Sequence, residues 1–207
     1  MRIAGLQAGL PRRLHDAQGE WRTAVGKLPI RSAHIGAAGL AGDAVADTVN
    51  HGGPDKAVLA YAAAHYPAWI QEAGRPLPFG AFGENLTLEN ADETSVCIGD
   101  IWAAGAARLQ ITQAREPCYK PGRYWDLPQL LDRMIATRRT GWYLRVLAPG
   151  AVAVGAEMVL LDRPAADWPV ARAYAVFSAR KTAPQPAALL AACPGLSARW
   201  RQRLAQS

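Results

Sequence analysis

Cys118 is the residue of this sequence best placed to do chemistry. It lies in the segment Gln113–Lys120, directly after Pro117 and between Arg115 and Lys120. A thiolate binds soft metals or attacks electrophiles, and nearby cations favour the deprotonated form. Proline fixes one backbone dihedral, which suits a rigid turn that presents a side chain. The segment therefore favours a functional thiol, and the alternative is a free cysteine that fills core space as a small hydrophobe.

A second segment, Asn50–Ala57, has the composition of an anion-binding loop. Its two adjacent glycines let the backbone approach a ligand closely, and their amides can form an anion-binding nest. His51 and Lys56 add side-chain donors on either side. The spacing is not that of a Walker loop, and Gly-Gly-Pro-Asp is also an ordinary turn. Both interpretations stay open.

A third segment, Phe82–Thr87, places Glu84 and Asn85 beside a glycine and ahead of a strand-like stretch. The Asn85 amide could hydrogen-bond the edge of a heterocycle, or it could satisfy the backbone of its own turn. Taken alone, this segment does not decide between the two roles.

The other cysteines and the other histidines indicate no protein metal site. Cys97 has apolar neighbours and is predicted to be buried, whereas Cys193 is predicted to be structural or surface-exposed. No C-x-x-C spacing occurs, so neither a zinc ribbon nor a thioredoxin-like pair is supported. Unpaired thiols are typical of a reducing compartment. The histidines without a partner at metal-ligand spacing are His15, His34 and His65.

Composition limits the classes of protein and partner. The chain has 207 residues, 50% hydrophobic and 19% charged, which fits one large domain or a domain with a small appendage. The formal charge of +6 is spread along the chain, which suits a small anionic ligand or a solvated surface and does not argue for nucleic acid. The arginines at 199, 201 and 203 are interpreted as a solvated face. No signal peptide or membrane span is predicted, so we expect a cytoplasmic protein.

Short apolar stretches separated by glycine and proline predict a β-rich body up to about Asp162. A hairpin is predicted from Val96–Ile98 and Ile101–Ile111, turning at Gly99 and Asp100 and leading into the Cys118 turn. Two helices are expected between strands, and together these elements favour a β-barrel over a sandwich. The other predicted strands are Arg2–Gly9, Trp21–Ile30, Ser32–Ile35, Lys56–Tyr61, Trp142–Val146 and Glu157–Leu161.

The two interposed helices follow from apolar spacing. The first carries Tyr66, Trp69, Ile70 and Ala73 and is predicted to end at Gly74. The second is predicted to begin at a cap formed by Asp126. Its expected apolar face consists of Leu127, Leu130, Leu131, Met134 and Ile135.

Beyond Arg163 and Pro164 the pattern becomes helical. One stripe consists of Val170, Ala173, Tyr174 and Phe177, a second helix spans Pro186–Ala192, and Ser197 is predicted to cap a third that carries Trp200 and Leu204. We therefore predict a β-barrel domain over residues 1–163 and a three-helix module over residues 164–207. The module is too small to be expected to fold alone and should dock on the barrel.

In this order, the segments resemble MOSC-domain proteins of the YiiM-like branch. No single motif is specific, but the ordered series covers nearly the whole chain. The segments that carry the resemblance are Gly39–Asp43, His51–Lys56, Phe82–Thr87, Cys97–Asp100, Arg115–Lys120, Gly141–Val146 and Gly195–Trp200.

The resemblance implies an α+β fold, a MOSC-like β-barrel with interposed helices followed by a small three-helix module. It also implies a molybdenum–pterin cofactor, with Cys118 as the metal ligand and catalytic residue. Soft thiolate sulfur suits such a metal. Family relatives reduce N-hydroxylated compounds, such as N-hydroxylated purines, with a separate electron-donor reductase. The cofactor-binding positions implied are His51, Lys56, Asn85, Arg115, Lys120 and Arg145, of which Lys56, Arg115 and Lys120 are assigned to the pterin phosphate.

Two other functions stay open. Cys118 could carry sulfur as a persulfide or serve in cofactor delivery, and the glycine-rich loop could belong to a non-catalytic module that binds an anionic ligand. MOSC domains also occur fused to pyridoxal-phosphate-dependent sulfurases, but no lysine here stands out as a Schiff-base residue. The sequence contains no cysteine set for an iron–sulfur cluster and no dinucleotide fingerprint. A reductase reading therefore requires electrons from a partner protein.

Overall fold

In a computed structural model, which describes residues 1–206, the chain forms thirteen β-strands and six α-helices. The helices are α1 (Tyr66–Ala73), α2 (Lys120–Tyr124), α3 (Leu130–Thr137), α4 (Val170–Ser178), α5 (Pro184–Ala191) and α6 (Ala198–Ala205). The strands are β1 (Arg2–Ala8), β2 (Arg12–Asp16), β3 (Gly19–Thr23), β4 (Leu28–Ile30), β5 (Ser32–Gly36), β6 (Gly39–Leu40), β7 (Val58–Ala62), β8 (Leu86–Glu89), β9 (Ile101–Ala104), β10 (Ala107–Ala114), β11 (Trp142–Ala148), β12 (Gly150–Ala153) and β13 (Met158–Asp162).

Eight strands form the main sheet, in the order β13-β9-β10-β11-β7-β8-β1-β4. All neighbours are antiparallel except β7 and β8. Backbone hydrogen bonds also join Ile3 of β1 to Gly155 and Ala156, just before β13, at 2.8 and 3.0 Å. The sheet therefore curls back on itself. The predicted α+β class is confirmed, but the strand ladder ends at β13 and β4, so a closed barrel is not confirmed.

Local signals predicted several strands correctly but misplaced some turns. The stretch Trp21–Ile30 is divided between β3 and β4, and β2, β6 and β12 were not predicted. The predicted strand Val96–Ile98 is wrong, because this segment forms turns with a single bridge at Cys97. The hairpin instead turns at Gly105, between β9 and β10. A side chain at Gly105 would lie 2.4 Å from the Ala151 carbonyl oxygen, which explains the glycine.

The first predicted helix is confirmed. Helix α1 ends at Gly74, which has a φ of +64° and is therefore well suited to the left-handed cap. The second helix begins later than predicted. Asp126 has a φ of +51° and cannot be its cap, so α3 begins at Leu130 after Gln129. Leu130 and Met134 are buried as predicted, whereas Ile135 is exposed.

The three C-terminal helices share their core with the main sheet. Their buried side chains belong to the same apolar cluster as Leu109 and Ile111 of β10. Ser197 caps α6 as predicted, because its Oγ accepts the Trp200 backbone N–H at 3.2 Å. The Trp200 ring stacks on Phe177 of α4 with centroids 3.9 Å apart. The domain boundary at residues 163 and 164 stays a prediction, and Ser207 lies outside the described residues.

Two further predictions concern the burial of the other cysteines and the presence of membrane spans. Cys97 is buried as predicted, and Cys193 is also buried, which removes the surface-exposed alternative. Within residues 1–206, no helix has the length and apolar character needed to cross a bilayer.

Candidate active site

A cavity of about 360 Å³ lies beside Cys118. Its walls come from the loop between β6 and β7, the segment before β8, and the turn that follows β10. Cys118 is half-buried and borders the cavity. Five of the other predicted site residues also line it, namely His51, Lys56, Asn85, Arg115 and Lys120.

Arg115 is a buried cation whose hydrogen-bonding groups are not all satisfied. It follows β10 directly, and its backbone N–H donates to the Gly141 carbonyl oxygen at 2.9 Å. The residue is only 3% exposed. Within residues 1–206, its Nε and Nη1 atoms have no hydrogen-bond partner. An unmet buried donor is costly, and the positive charge of Arg115, which lines the cavity, favours an anion there.

The structure does not bring Arg145 into the cavity. Arg145 lies two residues beyond Tyr143 on β11, roughly 7 Å further along the strand. There its Nη2 pairs with Asp55 Oδ1 at 2.9 Å, and its Nη1 donates to Gln110 Oε1 at 3.4 Å. It borders a different cavity, beside α6. The structure therefore does not group Arg145 with the other predicted cofactor-binding residues.

His51 and Tyr143 form a neutral polar pair. The His51 Nδ1 atom lies 3.0 Å from the Tyr143 hydroxyl. Burial, reinforced by the charges of Arg115 and Lys56, lowers the pKa of His51 to about 4. Burial raises the pKa of Tyr143 to about 12. At neutral pH the pair is therefore an uncharged imidazole beside a protonated phenol. Tyr143 was not among the predicted site residues, although it lies within a segment that carries the family resemblance.

The glycine-rich loop positions Lys56. Gly52 and Gly53 have φ values of +79° and +83°, a region that glycine enters without strain. Lys56 ends the 3-10 turn Pro54–Lys56, and its Nζ donates to the Asn50 carbonyl oxygen at 2.8 Å. Its ammonium lies 5.5 Å from the centre of the Tyr143 ring. Burial first, and then the nearby Arg199, lowers the pKa of Lys56.

A buried ion pair supports the opposite wall, and sequence reasoning missed it. Lys27 Nζ lies 2.7 Å from Asp43 Oδ2, and the two side chains are 5% and 9% exposed. Asn85 donates to the same carboxylate oxygen at 2.8 Å and accepts the Leu59 N–H at 3.1 Å. Its polar atoms therefore hold the wall together. Asp43 belongs to a segment that carried the resemblance. Lys27 lies within a stretch that was predicted as a strand, and no motif there indicated a site residue.

Helix α6 reaches the Cys118 turn. Glu116 accepts hydrogen bonds from Trp200 Nε1 at 3.1 Å and from Arg203 Nη1 at 2.6 Å. Arg199 donates to the Val49 carbonyl oxygen at 2.8 Å. Arg201 donates to the carbonyl oxygens of Ala191 and Cys193. Arg199 and Arg201 are exposed, as the interpretation of a solvated face expects, and Arg203 is half-buried; in addition, the hydrogen bonds of all three arginines hold the helix in place.

Protein side chains alone do not form a metal centre in the described part of the chain. No group of three or more histidine, cysteine, aspartate or glutamate side chains there could hold a metal ion. The cavity is lined by one thiol, by cations and neutral polar groups, and by two carboxylates, Asp43 and Asp47, that are already hydrogen-bonded. Such a lining suits an anionic ligand that carries its own metal ion together with most of the atoms that coordinate the metal.

Known proteins resemble this chain in sequence. The family model described as MOSC domain matches residues 47–159. The Bacillus subtilis (strain 168) protein YflK is 41% identical over 162 residues, which are 78% of this chain and 73% of YflK. A protein named Reductase from Gibberella moniliformis is 39% identical over 165 residues. That match covers 77% of this chain but only 28% of the fungal protein.

A comparison of folds also finds related proteins. The crystal structure of YiiM from Geobacillus stearothermophilus has a TM-score of 0.84 and 31% sequence identity, covering 99% of this chain and 97% of that one. The matched family region contains Cys118 and the five predicted residues that line its cavity. This chain therefore belongs to the MOSC domain family and is a YiiM-like member of it.

Proposed function

We propose that this chain binds a molybdenum–pterin cofactor in the Cys118 cavity and reduces N-hydroxylated compounds, such as N-hydroxylated purines. MOSC domains form a molybdenum-cofactor-binding family, and one relative carries the name Reductase. The observation that carries the proposal is Arg115, a buried guanidinium that lines the cavity and has two unmet donors.

The residues of the cavity fit a pterin phosphate. Arg115 is a buried cation in the cavity wall, and its charge would favour a phosphate group there. Lys56 and Lys120 line the same cavity and would add positive charge. Cys118 would contribute a thiolate, the type of ligand that a soft metal prefers. In this proposal Cys118 is both the metal ligand and the catalytic residue.

The proposed reaction needs groups that the chain holds and groups that it lacks. Converting N–OH to N–H breaks the N–O bond, consumes two electrons and two protons, and releases water. When bound, the cofactor supplies the two-electron chemistry that side chains cannot perform. Arg115 and the lysines hold the anionic group, and the uncharged His51–Tyr143 pair offers hydrogen bonds without adding charge. A separate reductase would supply the electrons.

The test is a comparison of cysteine variants produced in a host that makes the cofactor. Purified protein should contain molybdenum and should reduce an N-hydroxylated purine when a reductase system is supplied. Cys118→Ser should lose both properties. Cys97→Ala is the matched control, because Cys97 is buried and does not line the cavity beside Cys118.

The other outcomes are equally informative. Full activity in Cys118→Ser would contradict the proposal. Protein that lacks molybdenum but carries a labelled persulfide on Cys118 would indicate the sulfur-carrier function instead.

A further inference from the structure

Cys118 also borders a second cavity, of about 260 Å³, that α6 helps to enclose. Arg199 and Arg203 of α6 line it, together with Glu116 and Tyr119 from the Cys118 turn. Lys56 and Lys120 line both cavities, as does Cys118 itself. The two cavities are therefore neighbours with the thiol between them.

The second cavity carries an excess of positive charge. Four cationic side chains line it, Lys56, Lys120, Arg199 and Arg203, against two carboxylates, Asp47 and Glu116. Both carboxylates are engaged, because Asp47 accepts the N–H groups of Val49 and Asn50 at 3.0 Å, and Glu116 is bound to Trp200 and Arg203.

Arg199 brings charge to this cavity and has no carboxylate partner among residues 1–206. Its guanidinium donates to two neutral acceptors, the Val49 carbonyl oxygen at 2.8 Å and Asn50 Oδ1 at 3.1 Å. Lys56 likewise donates to a neutral carbonyl oxygen. Because these hydrogen bonds leave the charges unneutralised, the two cations repel each other, and Arg199 contributes to lowering the pKa of Lys56. A dianionic group would relieve this repulsion.

The two cavities differ in some of the side chains that line them. Arg115 and the Lys27–Asp43 pair line only the larger cavity and are buried. Arg199 and Tyr119 line only the smaller cavity and are exposed. Both cavities reach solvent, but only the smaller one is lined by an exposed cationic side chain, which suits a charged ligand that must enter and leave at each turnover. The Tyr119 ring offers a planar base a surface for stacking.

We propose that the smaller cavity binds the phosphate of the substrate, so that the chain prefers N-hydroxylated nucleotides to the uncharged nucleosides. This inference rests on the proposed reductase function. A nucleoside monophosphate carries close to two negative charges at neutral pH. Arg199 and Arg203 are the cationic side chains that line this cavity alone, whereas Lys56 and Lys120 are shared with the cofactor cavity. Arg199 is the residue that determines this specificity.

Binding of two ligands that differ only in the phosphate tests the inference. Calorimetry with the molybdenum-loaded protein compares N6-hydroxyadenosine 5′-monophosphate with N6-hydroxyadenosine. We expect the monophosphate to bind at least tenfold more tightly, and this preference should shrink as the salt concentration rises. Arg199→Gln should reduce the preference to threefold or less, and Arg199→Lys should retain part of it.

Arg201→Gln is the matched control. Arg201 is exposed on the same helix as Arg199 but borders neither cavity beside Cys118. This variant should keep the wild-type preference. Equal binding of both ligands by the wild-type protein, at low salt as well as high, overturns the inference even if Arg199→Gln does not fold. A preference that survives in Arg199→Gln also overturns it.

Two further readouts separate this inference from the proposed function. Loss of molybdenum and pterin from Arg199→Gln would mean that the cavity holds the phosphate of the cofactor, and the substrate assignment would fall. If the monophosphate binds through Arg199 but is not reduced with a reductase system, the anion site stands and the reductase proposal fails. If both ligands are reduced but bind equally, the reductase proposal stands and the anion site fails.

Discussion

At the scale of single residues, Arg115 is the side chain whose placement is hardest to explain by stability. Charged residues are rarely buried without a partner, yet Arg115 is buried with two unmet donors. Such a group lowers the stability of the ligand-free protein. Under the proposed function, Arg115 would link cofactor binding to folding stability.

Replacing Arg115 with methionine tests this link. The variant keeps an apolar stem but removes the unmet donors, so its free energy of unfolding without cofactor should rise by about 1–3 kcal/mol. Its molybdenum content should fall at least tenfold. Urea unfolding and metal analysis measure the two effects. Arg108→Met, at an exposed position of β10, the strand that Arg115 follows, should change stability by less than about 0.5 kcal/mol. A less stable Arg115→Met protein would contradict the prediction.

His51 makes the stability of the cofactor-free protein dependent on pH. Its pKa falls from 6.5 to about 4 on folding, so the unfolded chain binds the proton first as the pH is lowered. The stability present above pH 6.5 is lost as the pH falls towards 4. Between pH 7 and pH 5 this loss amounts to at most about 2 kcal/mol.

His51→Gln should remove this part of the pH dependence, because glutamine does not titrate in this range. Urea unfolding at pH 7 and pH 5 compares the variant with the wild type. His34→Gln, at an exposed histidine of β5, should keep the wild-type behaviour. If the free energy of unfolding changes equally between pH 7 and pH 5 in the wild type and in His51→Gln, the low pKa assigned to His51 is wrong.

At the scale of elements, the C-terminal end of β10 and the start of β11 determine where Arg115 lies. The Arg115 N–H donates to the Gly141 carbonyl oxygen, and the Gly141 N–H donates to Glu93 Oε1 at 2.7 Å. Gly141 has a φ of +76°, and a side chain there would lie 2.5 Å from the Ala60 carbonyl oxygen. Only glycine fits between β7 and β11 at this point.

Gly141→Ala should therefore destabilise the protein by more than about 3 kcal/mol, from backbone strain and steric overlap together. Gly155→Ala separates the two causes. Gly155 also has a positive φ, +87°, but a side chain there would meet no atom within 4 Å. Its alanine variant should lose only about 1–2 kcal/mol. Equal losses in the two variants, measured by urea unfolding, would show that the contact with Ala60 is unimportant.

At the scale of the whole molecule, the C-terminal helices are part of the site as well as of the core. Trp200 stacks on Phe177 and donates to Glu116, two residues before Cys118. Arg199 binds the loop that leads to His51. The helices and the Cys118 turn should therefore unfold together.

Trp200→Ala tests this cooperativity. Losing the buried ring should cost about 3–5 kcal/mol, and hydrogen exchange should become faster in β10 and β11 as well as in α4 to α6. Leu189→Ala, at an exposed position of α5, should have little effect. Faster exchange confined to the helices would mean that they form an independent unit.

Features with a local cause were predictable from the sequence. The Cys118 turn, the end of α1 at Gly74 and the Ser197 cap each depend on the conformational or hydrogen-bonding preference of residues a few positions apart. The same holds for the glycine pair at 52 and 53. The resemblance added the family, Cys118 and five other residues that line the cavity, because the motifs occur in a specific order.

Only the tertiary structure decided how distant side chains meet. It buried Arg115 without two of its partners, joined Lys27 to Asp43, and paired Arg145 with Asp55 outside the cavity. It also brought α6 against the Cys118 turn. These outcomes depend on burial and on charge pairing between residues far apart in the chain, and local periodicity carries no information about either.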